Sequence, residues 1–480
     1  MAYYHGPKAS EIDTAIVTPA QSTAGLPVVF GTAPVHLTSN PYECVNKPII
    51  CYSYAEAVEQ LGYSPDWRNF TLCEVLYSQF MLYAVAPIVF INVLDPKKHK
   101  KSATTTVTLT NGKGTVVANV LLDTLKVKDG NTSSITGEVN VDYTAAFDVE
   151  GQLVITVTDT GKLKDSRTLS LTYDEVDPTM VKPTDVIGGV DTLGNETGFE
   201  LINRIYNMFG LVPGLIAAPG WTEEPMVASI LKAKSRVINS LYAATILTDI
   251  DTKECKKYTD CYEWKNGNSY TGKAQIVLWP CCRNGDYIFH QSTHMLGIIG
   301  QVDASNSDIP YESPSNKDMN ITGLCLIDGT EVNLTFEQAN LLNSQGIVTA
   351  LNRNGWKSWG DYTGAYPGIT DVKDTFICVR RMFDWDDQIF INTYWQKIDK
   401  PMMPVLIQQV IDSEKIRLNS LVSRGFLLGA DIEFREKENP LTDLLAGIIR
   451  FHKKRTPPVP AQAIESISEY DTTNFKALFA

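Results

Sequence analysis

Nowhere in its 480 residues does the sequence hold ~18 uninterrupted apolar residues, the length a membrane-spanning helix needs. The nearest stretch, Met81 to Leu94, is broken by Pro87 and Asn92 and reads as a helix end followed by a buried strand. Positive charge is in deficit: 42 Lys plus Arg against 55 Asp plus Glu leave a net charge of −13. A general nucleic-acid coat needs a positive field, so that class is excluded. Cysteines number nine, an odd count, and none lies between Cys73 and Cys255. A disulfide framework would be even and dense, so reduced thiols in a cytoplasmic compartment are expected. The opening Met-Ala-Tyr-Tyr-His-Gly-Pro has neither a basic n-region nor an apolar h-region, and no secretory signal is expected.

Catalytic signatures are missing too. No serine sits in a Gly-x-Ser-x-Gly elbow, and no glycine loop of Walker type occurs. With six histidines, a hydrolase base would have to be His290 or His294, and no motif pairs either with a nucleophile. These two lie at i and i+4 near Cys281-Cys282, a pattern that places metal ligands on one helix face. No Glu follows His290 as a zincin requires, and adjacent cysteines lack finger spacing, so a packed helix face is expected instead. Cys255 and Cys261 read as free thiols in a polar loop. No catalytic residue, cofactor or metal site is expected.

What is present is an ordinary core: 44% hydrophobic and 20% charged residues, over a length that suits roughly three domains. Residues 1–25 form an extended arm in which Ile12, Thr14 and Ile16 alternate with more polar neighbours, the period of a strand that needs a partner. Residues 26–97 read as a small α/β domain, with strands at Val28 to Phe30, Ile49 to Cys51 and Ile88 to Leu94. Ser53 caps a helix that stops at Gly62, and a second helix runs from Leu72 to Ala84. At Lys97-Lys98-His99-Lys100-Lys101 the composition shifts. Residues 98–187 hold no Cys, no Trp and abundant Thr and Val, and are expected to be an inserted β-sandwich-like domain with strands at Thr105–Thr110, Thr115–Leu122, Leu153–Thr158 and Arg167–Tyr173. The basic run reads as a solvated hinge.

Residues 188–366 return to α/β, with strands at Gly214–Ala218, Ala243–Thr248 and Ala274–Trp279 and a helix started by Thr222 and Pro225, which implies a parallel sheet flanked by helices. The tryptophans of Trp356 to Tyr362 are expected to pack locally at a domain boundary. Residues 367–455 form an α+β block: a strand at Phe376–Arg380, helices at Asp384–Ile398 and Met402–Arg424, and strands at Gly429–Phe434 and Ile448–His452. The prolines at 457, 458 and 460 then stiffen a linker into a second extended arm, 456–480, whose Ile464, Ser466 and Tyr470 share one face.

Read continuously, the second half resembles the contractile tail sheath proteins of phages, R-type bacteriocins and related injection systems. Ser292 to Gly300 with Asp303, Ser313-Pro314-Ser315-Asn316-Lys317, Leu341 to Ile347, Trp359-Gly360-Asp361-Tyr362-Thr363, Val379-Arg380-Arg381, Asn439-Pro440 and the Pro457–Pro460 run follow that family's order. Tyr362 stands where the family usually has Arg. The resemblance implies a core of subtilisin-like topology without a triad. It also implies a homo-oligomeric helical stack of hexameric rings around a tail tube, with baseplate and tail terminator proteins as further partners. Such a sheath contracts to drive the tube through the target cell envelope, with no nucleic-acid partner and no membrane insertion. The expected location is a virion tail, assembled in the host cytoplasm. Both arms, through Ile12, Thr14, Ile16, Ile464, Ser466 and Tyr470, would be strands donated to neighbours, and Lys415, Arg417 and Arg424 would face the tube. A surface-layer or adhesin-like protein is the alternative class, and an α/β hydrolase the third.

Overall fold

The computed structural model describes residues 24–132, 135–369 and 371–479. Short runs rich in Val, Ile and Leu dominate its centre, as expected of strands covered on both faces. They are β1 (Pro27–Gly31), β2 (Pro48–Cys51), β3 (Ile88–Asn92), β4 (Leu215–Ala217), β5 (Thr245–Asp249), β6 (Gln275–Leu278), β7 (Ile347–Asn352) and β8 (Trp356–Trp359). These join in one eight-stranded sheet of order β2-β3-β1-β4-β5-β6-β7-β8. The six central strands are parallel, and β2 and β8 close the edges antiparallel. The chain turns from one half of the sheet to the other between β1 and β4.

Two helices carry the polar groups discussed below: α1 (Thr71–Tyr77), continued by a π-turn over Ser78–Leu82, and α2 (Gln291–Ser305). Helix α2 is buried nearly all round because Met295, Leu296, Ile298 and Ile299 enter the main core. It packs so closely that a Cβ on Gly297 would lie 2.4 Å from the Tyr83 ring. The helix at Tyr54–Leu61 starts as expected, with the Ser53 side chain accepting the Glu56 N–H at 3.2 Å, and ends at Gly62 with φ +75°.

Residues 100–176 build two three-stranded antiparallel sheets, one from 100–108, 168–176 and 126–129, the other from 113–116, 153–157 and 143–147. Val107, Val127, Leu153, Ile155, Leu169 and Leu171 form a core of their own between them. Lys100 and Val176 are cross-strand partners, so the segment leaves and rejoins the chain at one place. The first strand starts earlier than expected, inside the basic run. That run is not a bare solvated hinge, because Lys98 pairs with Asp185, Lys100 with Asp174 at 2.6 Å, and Lys101 with Glu175 and Asp177 at 3.4 Å.

The C-terminal block departs most from expectation. Phe376–Arg380 is not a strand: Phe376 precedes helix α3 (Ile377–Tyr394). The helical spacing of Met382, Trp385 and Ile389 decides it, with Arg380 and Arg381 on buried faces through ion pairs. Helix α4 (Pro404–Ser423) follows, and then a two-stranded ribbon of β9 (Gly429–Glu433) and β10 (His452–Thr456). The last strand therefore starts where Ile448–His452 was expected to end. Asn439 holds Arg450 through its backbone, and Lys453 and Arg455 find carboxylates only further along. Past Thr456 the chain runs without helix or strand pairing to Asp471, then makes a 3-10 turn over Thr472–Phe479.

Candidate functional site

Open α/β sheets place ligands beyond the carboxyl ends of their strands, where the strand order reverses. Here that position, above β1, β4 and β5, is filled by protein. Glu74 of α1 accepts the His290 backbone N–H at 2.6 Å and the Thr293 hydroxyl at 2.8 Å, and faces His290 Nδ1 at 2.9 Å. Glu223 lies 3.6 Å from His290 Nε2. Burial opposes the imidazolium, but Glu74, Glu223 and Asp249 outweigh it and push the His290 pKa up to about 10. Burial likewise pushes Glu223 up to about 7 against the pull of His290.

Asp249, at the end of β5, accepts both the N–H (2.9 Å) and the hydroxyl (2.5 Å) of Ser292. The serine hydroxyl is thus committed to a carboxylate, and both nitrogens of His290 face carboxylates. An activated nucleophile needs its hydroxyl on the imidazole, which this arrangement denies. His294 faces elsewhere: its Nδ1 meets the Tyr83 hydroxyl at 2.8 Å, and burial lowers its pKa to about 3. The i, i+4 histidines therefore have separate surroundings, and among the described residues no group of three His, Cys, Asp or Glu is placed to hold a metal. Cys255 and Cys261 are both buried, the latter opening a helix at Cys261–Gly267 rather than lying in a polar loop. Trp359 packs on Phe336 and donates to Asn340 at 2.9 Å, while Tyr362 stacks on Tyr366 at 3.9 Å, so these aromatics pack locally.

The other concentration of polar chemistry supports the ribbon. Asp386 of α3 is 2% exposed and accepts from Arg417 of α4 and from Arg455 and Lys453 of β10, the last at 2.6 Å. Glu414 pairs with Arg417 and lies 3.5 Å from Lys453, and Arg455 also reaches Asp387 at 2.7 Å. Burial opposes the Asp386 charge, yet the three cations hold its carboxyl well below the usual range. The network clamps β10 onto both helices. Among the described residues no strand pairs with the outer edge of either β9 or β10.

Ile464 and Tyr470 are 92% and 76% exposed, and Ser466 lies on the same unpaired segment. Ile12, Thr14 and Ile16 lie outside the described residues. Lys415 is exposed and pairs with Asp431 at 3.2 Å, while Arg424 is exposed above the Phe426 ring. Arg417 is corrected: it is not an outward-facing cation but the buried centre of the Asp386–Glu414 network. Sequence reading missed Asp386, Glu414, Lys453 and Arg455. Their one local signal is the i, i+3 pair Glu414/Arg417, and the rest meet only in the fold.

No protein-family model matches the sequence. The tail sheath protein of Burkholderia phage BcepMu is 27% identical over 495 residues, covering 98% of this chain and 98% of that protein. The tail sheath protein of Escherichia phage P2 is 20% identical over 290 residues, covering 58% of this chain and 68% of that protein. Among solved structures, the helical sheath of the anti-feeding prophage in its contracted state superposes with a TM-score of 0.58 at 13% identity, over 97% of this chain and 99% of that one. The sheath tail protein of Desulfitobacterium hafniense gives 0.51 at 10% identity, over 90% and 93%. A relative matched end to end and a fold shared over the same length place the chain among the contractile tail sheath proteins, as a structural subunit and not an enzyme.

Proposed function

We propose that the subunit polymerises as hexameric rings stacked in a helix around a tail tube, and that the ribbon of β9 and β10 is the acceptor that links neighbours. One observation carries this reading. Among the described residues the ribbon has two open edges, while Ile464, Ile467 and Tyr470 stand 92%, 91% and 76% exposed on a segment that pairs with no strand there. An open edge and an extended segment satisfy each other's backbone groups by strand addition. The C-terminal arm of one subunit takes one edge, and the N-terminal arm, through Ile12, Thr14 and Ile16, takes the other. Arms of this kind let subunits rotate during contraction without separating.

In this reading 188–366 is the core of subtilisin-like topology, and residues 26–97, expected from sequence to be a separate small α/β domain, add their three strands to its sheet. Residues 98–187 are an outer decoration, 367–455 the layer nearest the tube, and 1–25 and 456–480 the arms. Lys415 and Arg424 are the cations offered to an acidic tube surface, with Arg417 withdrawn into its network. Baseplate and tail terminator proteins bound the stack, which assembles in the host cytoplasm and serves in a virion tail or a related injection device. Negative-stain microscopy of the purified protein tests the reading: rings or tubes are expected from the full chain, and neither from a chain ending at residue 460. Dispersed particles from the full chain, or tubes from the truncated one, would overturn it.

A further inference from the structure

The link between β9 and β10 is a folded cap with an apolar side turned outward. Asn439 fixes its base, donating to the Arg435 and Arg450 carbonyls at 2.8 and 2.9 Å and accepting the Arg450 N–H at 2.7 Å. Above that base stands one helical turn, Leu441–Leu445, after which the Ile448 N–H donates back to the Asp443 carbonyl at 2.8 Å. Leu441 and Leu445, at i and i+4, share a face. They are 70% and 79% exposed, Ile448 is 44% exposed, and none of the three belongs to a core among the described residues. A single exposed leucine needs no explanation, but three large apolar side chains on one hydrogen-bonded cap mark an interaction surface.

The far end of the chain carries a matching feature. Asp471 accepts the Thr473 N–H at 2.9 Å, the Thr473 hydroxyl at 2.5 Å and the Asn474 side-chain amide at 3.0 Å, which starts the turn over Thr472–Phe479. That turn brings the Phe475 ring within 6.3 Å of the Tyr470 ring and leaves Phe475 and Leu478 exposed. The result is an apolar knob at the tip of the C-terminal arm.

We infer that the Leu441–Ile448 cap of one subunit receives the Phe475–Leu478 knob of a second copy, whose arm runs antiparallel along β10. The inference rests on the strand addition proposed above. The chain's own arm is led elsewhere, because Pro458–Ala463 line a groove with Tyr311, Trp359 and Tyr366. Charge selects the edge. Glu465, Glu469 and Asp471 share one face of the extended arm, opposite Ile464 and Tyr470. On β10, Lys453 and Arg455 turn inward to Asp386, so His452 and Lys454 face outward, and their partners on β9 are Glu433 and Asp431. An acidic strand therefore meets Lys454 at the β10 edge and like charges at the β9 edge. Length carries the knob past the strand: extended, Ile464 to Tyr470 span roughly 23 Å and the five residues of β10 roughly 16 Å. Antiparallel to β10, the overshoot falls at His452, the end that carries the cap. Parallel, it would fall at Thr456, where Leu428 is exposed. The larger apolar area favours the cap.

The test separates this contact from strand addition itself. A chain ending at residue 471 keeps Ile464 to Tyr470 and loses the knob. It should need at least about tenfold more protein to form tubes, as should the full chain with Leu441→Ser and Leu445→Ser, its fold checked by unchanged hydrogen exchange over residues 377–456. Combining truncation and substitution should cost no more than either alone, because each removes one half of the same contact. The nine natural cysteines are buried, so mild oxidation of tubes carrying Leu445→Cys and Phe475→Cys should give a ladder of linked subunits. Tubes from the chain ending at 471 at the wild-type concentration, losses that multiply in the combination, a link within one chain, or stronger linking of Phe475→Cys to Leu428→Cys than to Leu445→Cys overturns this inference while the sheath reading stands. Absence of tubes from the unaltered chain overturns both.

Discussion

Asp386→Ala removes the carboxylate on which three cations converge. Without it, Arg417 keeps Glu414, Lys453 keeps Glu414 at 3.5 Å, and Arg455 keeps only Asp387, which is 52% exposed. Three cations then share two carboxylates, one of them half in water. Removing one partner of a buried pair costs about 3–5 kcal/mol, because the charge left behind is neither solvated nor paired. The chain has several cores, so one global unfolding energy is not defined and the readout must be local. Hydrogen exchange over residues 377–456 supplies it, and the cost corresponds to opening that is roughly 10²–10⁴-fold more frequent. Asp386→Asn keeps the shape and should lose nearly as much, since charge is the missing element. The folded carboxyl lies below its unfolded value, so its stabilisation is fully present above about pH 4 and is lost as pH falls through the folded value. Exchange in the wild type should therefore show no Asp386-dependent change between pH 5 and 8. A change under tenfold in the Ala variant at pH 7 would refute the assignment of this network as the ribbon's clamp.

His290 titrates in the opposite sense. Its folded pKa of about 10 lies above the ordinary value, so its stabilisation is complete below about pH 6.5 and disappears as pH rises through 10. Protection of residues 71–82 and 291–305 in hydrogen exchange, corrected for intrinsic rates, should fall between pH 7 and 10 in the wild type and fall less in His290→Asn; parallel curves would reject it. Gly297→Ala places a Cβ 2.4 Å from the Tyr83 ring and should cost about 1–3 kcal/mol, the range for overpacking a filled core, read as faster hydrogen exchange over residues 291–305. Replacing residues 98–187 by a short Gly/Ser linker should leave a subunit that still forms tubes under electron microscopy, because the six-stranded unit has a core of its own and lends the main core only a few side chains, among them Leu121 and Val176. A trimmed protein that folds but never assembles would place the insertion within the lattice.

Local chemistry made some elements legible and hid others. Ser53 and Gly62 bracket their helix because a cap oxygen and a left-handed stop act within a few residues. The central strands were readable as apolar runs, since a parallel sheet covered on both faces has no polar alternation to confuse the pattern. The segment around Val379-Arg380-Arg381 was not readable. It reads as a strand, yet it lies in a helix whose arginines are buried in ion pairs: Arg380 against the nearby Asp374 and Asp384, and Arg381 against Asp303, 78 residues away in sequence. Arg417 failed for the same reason: one turn of sequence cannot reveal that Asp386, 31 residues earlier, will lie beside it. Motif order across residues 200–470 recovered the family, because order survives substitution better than any single contact does. The site geometry needed coordinates, since its pairs are long-range.

The same long-range pairs define a mechanical route through the subunit. Helix α3 carries Asp386, which holds Lys453 and Arg455 of the ribbon, and nearer its start it carries Arg380, Arg381 and Asp384. Arg381 grips Asp303 at the end of α2, and Asp384 takes both guanidinium nitrogens of Arg236, at 2.6 and 2.9 Å, beyond the main sheet. Load applied to the ribbon by a neighbour's arm would thus enter α3 at Asp386 and leave it into the core through charged pairs, most of them buried. Apolar contacts alone would hold these layers together but would let them slide, because dispersion is weakly directional. Bidentate and converging ion pairs lose most of their energy within a small displacement, so they fix register. Under the assembly proposed above, stiff charged joints inside the subunit would complement donated arms that move outside it.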